Sequence, residues 1–273
     1  KFHHGTEDYK GYRLNEKGKI VNIDESAKPP LDFSITKNVV SLFISIIIIC
    51  LMFISIARRF KKHQNEAPKG LQSWLEPLIL FVRDDIARPS IGEKRYEKYM
   101  PYLLTIFFFI FINNLLGLIP FFPGGANLTG NIAVTLVLAI FTFIITTISG
   151  NKHYWKEIYN APGVPWWLKI PIPLMPIVEI VGLITKPFVL MVRLFANITA
   201  GHIIALGFVS LIFIFGDKVG VGAGYGFSVI SIIFYVFMGL LELLVAFIQA
   251  YVFTLLSSLY FGMASAEHHE TVN

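Results

Sequence analysis

Apolar runs of about 18 residues or more recur along this chain, beginning with Val39 to Ile56, and each is long enough to cross the hydrocarbon of a bilayer. The composition agrees. Of 273 residues, 55% are hydrophobic and only 15% charged, where a soluble domain carries roughly a quarter charged residues. The expected fold class is an all-α, polytopic membrane protein. Its net charge of +5 sits mostly in the connecting segments, so it speaks to topology rather than to nucleic-acid binding. Cys50 is the single cysteine and lies inside an apolar run, so no internal disulfide forms and packing is its expected role. The first residue is Lys1, which points to removal of an N-terminal piece such as a signal sequence.

Residues 1–37 are polar and of mixed charge, without a clear period, and read as an extramembrane region. His3 and His4 lack further ligands at zinc-like spacing and read as part of a solvated tail, so no metal or other cofactor is expected. Residues 38–264 form the membrane-embedded domain, with helices expected at about 39–57, 101–119, 132–149, 177–215 and 226–263, and residues 265–273 a polar tail. The run "ARRFKK" (Ala57–Lys62) follows the first span and places that end in the cytoplasm, with the N-terminus outside and the C-terminus cytoplasmic. Residues 70–88 are too interrupted by charge to span. Trp74, Leu75, Leu78 and Val82 recur at helical spacing there, as in a helix lying along the interface. Lysines with Trp155, Trp166 and Trp167 suit a headgroup boundary after the third span. Asn127 and Asn197 match a glycosylation triplet, but the second lies in an apolar run, and neither carries weight.

The last two apolar stretches are too long. Ile177 to Phe215 would reach about 58 Å as a helix, against a hydrocarbon core of about 30 Å, and ordinary tilt of about 20° does not absorb the excess. Either each is broken, or the two form a hairpin lying steeply aslant. The connector "GDKVGVGAGYG" has no lysine followed by Ser or Thr, so it reads as a flexible external turn and not as a phosphate loop.

Both stretches carry a polar stripe. Glu179, Lys186 and Arg193 are seven residues apart, and seven residues advance a helix two turns with only about 20° of drift. Asn197 lies one turn beyond Arg193, while His202 falls on the opposite face. In the fifth stretch Tyr235, Glu242 and Gln249 repeat the spacing. Lys186 and Glu179 can be read as simple helix–helix pairing, and Lys186 can snorkel. Arg193 is too deep for that, and no acid lies within two turns on its own helix. An arginine at a bilayer centre costs at least about 2.5–3.5 kcal/mol, which favours a functional use. A lone buried Glu242 would protonate unless water or a partner reached it. Gln249 and Asn197, taken singly, read as helix–helix hydrogen bonders.

"KPFVLMVRLFAN" followed by "AGH", then "FIQAYVFTLLSSLYFGMA", resembles subunit a of rotary ATP synthases over roughly Val39 to Ala264. The resemblance implies that 38–264 is the stator domain of a proton-translocating membrane sector, with two aqueous half-channels. It implies that Arg193 faces the carboxylates of the c-subunit ring and that Asn197 and Gln249 flank it. Glu179 would belong to the cytoplasmic path, His202 and Glu242 to the path from the other side, with Lys186 and Tyr235 as supporting polar groups. Many bacterial relatives carry an acid where His202 stands and a histidine where Glu242 stands, whereas mitochondrial members resemble this chain. The exchange suggests that the two residues are spatial partners. The implied partners are the c-ring, b subunits of the peripheral stalk, the rest of the complex and membrane lipid, with no nucleic acid and no directly bound nucleotide. The implied site is the bacterial plasma (inner) membrane, in a subunit that is not an enzyme by itself. Two other classes stand beside this one. A stand-alone ion-coupled transporter would usually show internal repeats, and none is found. A membrane-embedded enzyme would need a nucleophile or metal cluster, whereas the histidine pairs at His3 and His268 lie in tails.

Overall fold

The computed structural model describes residues 12–14, 20–22, 36–62, 70–119, 128–159 and 174–266, excluding a few side chains within them, among them Glu179, Asn197 and His202. The chain divides into two units, Lys1–Val40 and Ser41–Asn273. In the first, β1 (Tyr12–Leu14) and β2 (Ile20–Asn22) pair antiparallel, with Tyr12 opposite Asn22 and Leu14 opposite Ile20. Strands of three residues are too short to leave a period in the sequence. The all-α membrane fold therefore carries a small extra sheet in a region that had read as featureless.

Eight helices make up the rest of the described chain: α1 (Lys37–Lys62), α2 (Leu71–Phe81), α3 (Arg88–Ile91), α4 (Tyr96–Leu118), α5 (Ile132–Ser149), α6 (Lys152–Tyr159), α7 (Leu174–Lys218) and α8 (Val221–Ser265). Five of them, α1, α4, α5, α7 and α8, are long and apolar enough to cross a membrane. The core lies where α4, the C-terminal half of α8 and the middle of α7 meet, around Phe107, Phe108, Leu190, Leu194 and Phe261. Aromatic rings fill it, as with Tyr99 stacked on Phe261 at 5.0 Å. Only one face of α1 touches this core, chiefly through Phe53 edge-on to Phe108 at 5.1 Å.

The interfacial element expected at 70–88 is not one plain helix. A π-helical turn (Val82–Ala87) joins α2 to α3. Val82 is fully buried, Leu75 and Leu78 are half-buried, and Trp74 stands exposed, which suits an indole at headgroup level. Phe81 packs on Phe247 and Tyr251 of α8, at 5.9 and 5.6 Å between ring centroids. The Ile86 carbonyl accepts a hydrogen bond from the Ser258 hydroxyl at 3.3 Å. A Cβ on Gly262 would overlap the Ser90 carbonyl, so α3 and α8 meet backbone to backbone. At the water-facing side Arg83 donates two hydrogen bonds to Asp84, each 2.9 Å, and Arg88 adds one at 2.8 Å. The Arg83 guanidinium, with help from Arg88, holds the Asp84 carboxyl below the usual carboxylate range.

The segment after α5 turns back as α6 against the end of α8. The Asn151 backbone N–H donates to the Ala264 carbonyl at 3.0 Å and its side-chain Nδ2 to the Ser265 carbonyl at 3.1 Å. These are carbonyls that a helix C-terminus leaves without partners. Tyr154 and Ile158 bury themselves beside Ala264.

Neither long stretch is broken. α7 and α8 are 45 residues each, with Pro187 accommodated inside α7. At 1.5 Å per residue each extends about 67 Å, so the hairpin must lie aslant in about 30 Å of hydrocarbon. The glycine-rich connector is not the flexible loop that composition suggested. α7 runs on through Lys218, α8 begins at Val221, and Gly220 turns the chain at φ +118°. Glycine is there for close approach as well as for turning: a Cβ on Gly224 would stand 3.0 Å from the Gly216 Cα. Phe215 stacks on Phe227 at 3.7 Å and Phe208 on Phe234 at 5.0 Å, which sets the antiparallel register.

Candidate functional site

That register continues down the hairpin. Seven residues before Phe208 stands Gly201, and a Cβ there would come 2.9 Å from Oε1 of Glu242 on α8. Eight residues further back on α7 and seven further along α8, the same register brings Arg193 level with Gln249. The two polar stripes read from the sequence are thus on facing helices of one hairpin.

Their members differ in environment. Leu190, Met191 and Leu194 form the buried face of α7, and Arg193 lies off it, exposed among Phe188, Val189 and Val192. The ion pairs formed among the described residues are those of Arg83 and Arg88 with Asp84, so Arg193 has none. On α8 exposure falls along the stripe: Tyr235 is 48% exposed, Glu242 half-buried and Gln249 only 4% exposed. Tyr235 stands out toward the hairpin tip and is not brought to the other two.

Glu242 and Gln249 line a cavity of about 360 Å³ between α4, α7 and α8, together with Asn114, Gly117 and Gly201. Oε1 of Glu242 is buried there with no hydrogen-bond partner among the described residues. A buried carboxyl oxygen left so costs free energy unless water or another donor reaches it. The cavity is large enough to admit water. Asn114 is held tightly at its wall. Its Nδ2 donates to the Ala246 carbonyl at 3.3 Å, and its Oδ1 accepts from the Thr129 hydroxyl at 2.6 Å. Ala246 lies between Glu242 and Gln249, so this bond seats the stretch of α8 that presents both.

Glu179, Asn197 and His202 all fall within α7, and their side chains lie outside what is described. His202 follows Gly201 directly, so its backbone is beside Glu242. Lys186 is drawn to the side of the stripe, its Nζ 5.4 Å from the centroid of the Tyr260 ring. Asn114, Thr129, Gly201 and Tyr260 were not singled out from the sequence. Asn114 carried a usable signal, since "INN" within an apolar span is costly unless satisfied. The other three depend on which helices meet.

The ATP synthase A chain family matches residues 39–262. The chain is 43% identical to ATP synthase subunit a of Chloroherpeton thalassium over 90% of its own length and 71% of that protein. It is 45% identical to ATP synthase subunit a of Chlorobium phaeobacteroides over 88% of itself and 68% of the relative. With ATP synthase subunit a of Myxococcus xanthus it shares 41% identity, over 88% of itself and 76% of the relative.

Proposed function

This chain belongs to the ATP synthase A chain family, and from that premise we propose that it carries protons through the membrane sector past a turning ring of c subunits. As a family member it is a multi-pass membrane subunit of an ATP synthase and not a complete enzyme by itself. The observation that carries the finer reading is the placing of two charges. Arg193 is exposed on α7 with no ion pair among the described residues, and Oε1 of Glu242 is buried, with no hydrogen-bond partner among them, in the cavity between α4, α7 and α8.

Physics connects them. A proton cannot cross hydrocarbon as a free charge, so it enters a blind aqueous channel and boards a carboxyl on the ring. Glu242, Asn114 and Gln249 surround one such channel, with His202 beside Glu242, while Glu179 belongs to the second, on the cytoplasmic side. The ring carboxyl travels through lipid only when neutral and must give up its proton on reaching the stator. A nearby arginine lowers a carboxyl pKa by about 1–3 units. Guanidinium keeps its own charge, so it accepts each carboxylate without relaying the proton. Asn197 and Gln249 flank it. Each proton contributes about 2.3 kcal/mol per 100 mV of membrane potential.

The chain lies in the bacterial plasma membrane with its N-terminus outside and "ARRFKK" in the cytoplasm, against the c-ring and the b subunits of the peripheral stalk. Cysteine labelling at position 60 from the outside of intact cells would reverse that orientation. The functional test is Arg193 itself. Arg193→Lys keeps a charge but loses the fork and the guaranteed protonation, and should abolish coupled ATP synthesis in a complex that still assembles. Arg193→Ala should also let protons pass between the channels, measured as flux in liposomes holding the membrane sector under an imposed potential. Wild-type synthesis in the lysine variant, or a proton-tight alanine variant, would refute the role given to Arg193.

A further inference from the structure

Lys186 and Arg193 share a face of α7 by spacing, yet their side chains are placed differently. Arg193 is exposed, whereas Lys186 is half-buried with its ammonium over the Tyr260 ring of α8. At 5.4 Å from the centroid this is within the range in which a ring attracts a cation, and the attraction grows when water is excluded. Beside Lys186 is a cavity of about 10 Å³, lined also by Thr142, Thr146, Tyr154 and Tyr260, which is room for about one water. Thr142 and Thr146 donate their hydroxyls to the Leu138 and Thr142 carbonyls at 3.1 and 2.8 Å. Each hydroxyl oxygen keeps acceptor capacity for an ammonium or its water.

We infer that Tyr260 is a positioning residue of the stator: its ring holds Lys186 off the exposed face of α7 and leaves Arg193 the one cation of the membrane-buried part of that face. The inference rests on the reading of Arg193 given above. Without the ring, the flexible lysine stem swings outward, as long cationic side chains do when nothing holds them. A carboxylate moving along the face then meets a second cation about 10 Å from the first. It dwells at the wrong place, and rotation slows.

The ring, not the hydroxyl, does the holding, so Tyr260→Phe and Tyr260→Leu should part company. The first measurement is independent of proton transport. The assembled complex in lipid vesicles is treated with a membrane-permeant amine reagent, and modification of Lys186 is followed by mass spectrometry. Modification should rise roughly five- to tenfold in Tyr260→Leu and stay at the wild-type level in Tyr260→Phe. The second measurement is ATP synthesis. Tyr260→Leu should fall several-fold below Tyr260→Phe, and adding Lys186→Met should raise synthesis again, because the competing cation is gone. Equal labelling in the Leu and Phe variants would overturn the inference and leave the role of Arg193 standing. Failure of Lys186→Met to improve the Leu variant would overturn it too, since a merely structural defect is not relieved by removing a lysine. If instead Arg193→Lys worked normally, the stator reading would fall while the labelling difference survived.

Discussion

The two halves of α8 have the same backbone and similar hydropathy, yet one is packed inside the protein and the other is bare. From Ala246 onward, Gln249, Ala250, Phe253, Thr254, Ser257, Ser258, Phe261 and Ala264 are all buried. Between Tyr225 and Leu244, Phe227 and Phe234 stack on α7, but most other large residues face outward, with Val229, Ile233 and Leu240 each more than 60% exposed. The difference lies in side-chain size and not in polarity. The packed half alternates rings with Ala, Ser and Gly, which let helix backbones approach closely where no hydrophobic drive exists between helices in lipid. Thr254 and Ser257 satisfy their hydroxyls along the helix, on the Ala250 carbonyl at 2.7 Å and the Phe253 carbonyl at 2.8 Å, and Ser258 donates across to Ile86. Beyond the glycines at its tip, the exposed surface of the bare half is mostly Ile, Val, Leu and Phe, which suit contact with acyl chains. Glu242 stands near the border between the two.

If small size is what makes the packed half, enlarging a small residue there should have the greatest effect. Gly262→Leu would drive a side chain into the Ser90 backbone, which cannot rotate away as a side chain would. Overpacking alone typically costs about 1–3 kcal/mol, and a backbone clash is worse. The expected outcome is loss of the chain from the membrane fraction, read by immunoblot after expression. Normal accumulation would mean that α3 is free to move off α8, and the contrast between the halves would weaken.

At the border the expected loss is one of transport rather than of folding. His202 and Glu242 should behave as one network across Gly201. Glu242→Gln should reduce proton flux more when His202 is intact than when His202 is changed as well, because neighbours in one network are not additive. Flux measured in membrane vesicles for the two single variants and the double variant decides it. Strictly additive losses would make them independent groups.

Much of this was legible in the sequence, because hydropathy and seven-residue spacing are local properties. The five membrane segments follow from apolar length, and the stripe of Tyr235, Glu242 and Gln249 from periodicity. What hydropathy missed depends on which surfaces meet. Glycines in "GVGAGYG" look the same whether they form a loop or let two helices touch, and so the turn at Val219 and Gly220 was overestimated. Trp74 shares helical spacing with Val82, but the packing sends one outward and the other inward. Thr129 meets Asn114 from 15 residues away, and Asn114 reaches the Ala246 carbonyl only because α4 lies on α8. Tyr260 looks like one more membrane aromatic until the hairpin brings it to Lys186.

The smallest effect belongs to the bare half. Ile233→Leu and Val229→Leu change shape but keep an apolar surface where the chain itself packs nothing. Surface substitutions away from special features stay within about ±0.5 kcal/mol, so accumulation and ATP synthesis should match the unchanged protein. The same kind of exchange in the packed half, Ala250→Leu, should not be silent, because Ala250 is fully buried against the core and extra methylenes there force strain. Thermal inactivation of the purified complex, compared across the three variants, measures the contrast directly. Destabilisation by Ile233→Leu equal to that by Ala250→Leu would mean that the outward half touches protein in the assembly. Its exposure would then mark an interface, and side-chain size would no longer separate lipid-facing from protein-facing helix.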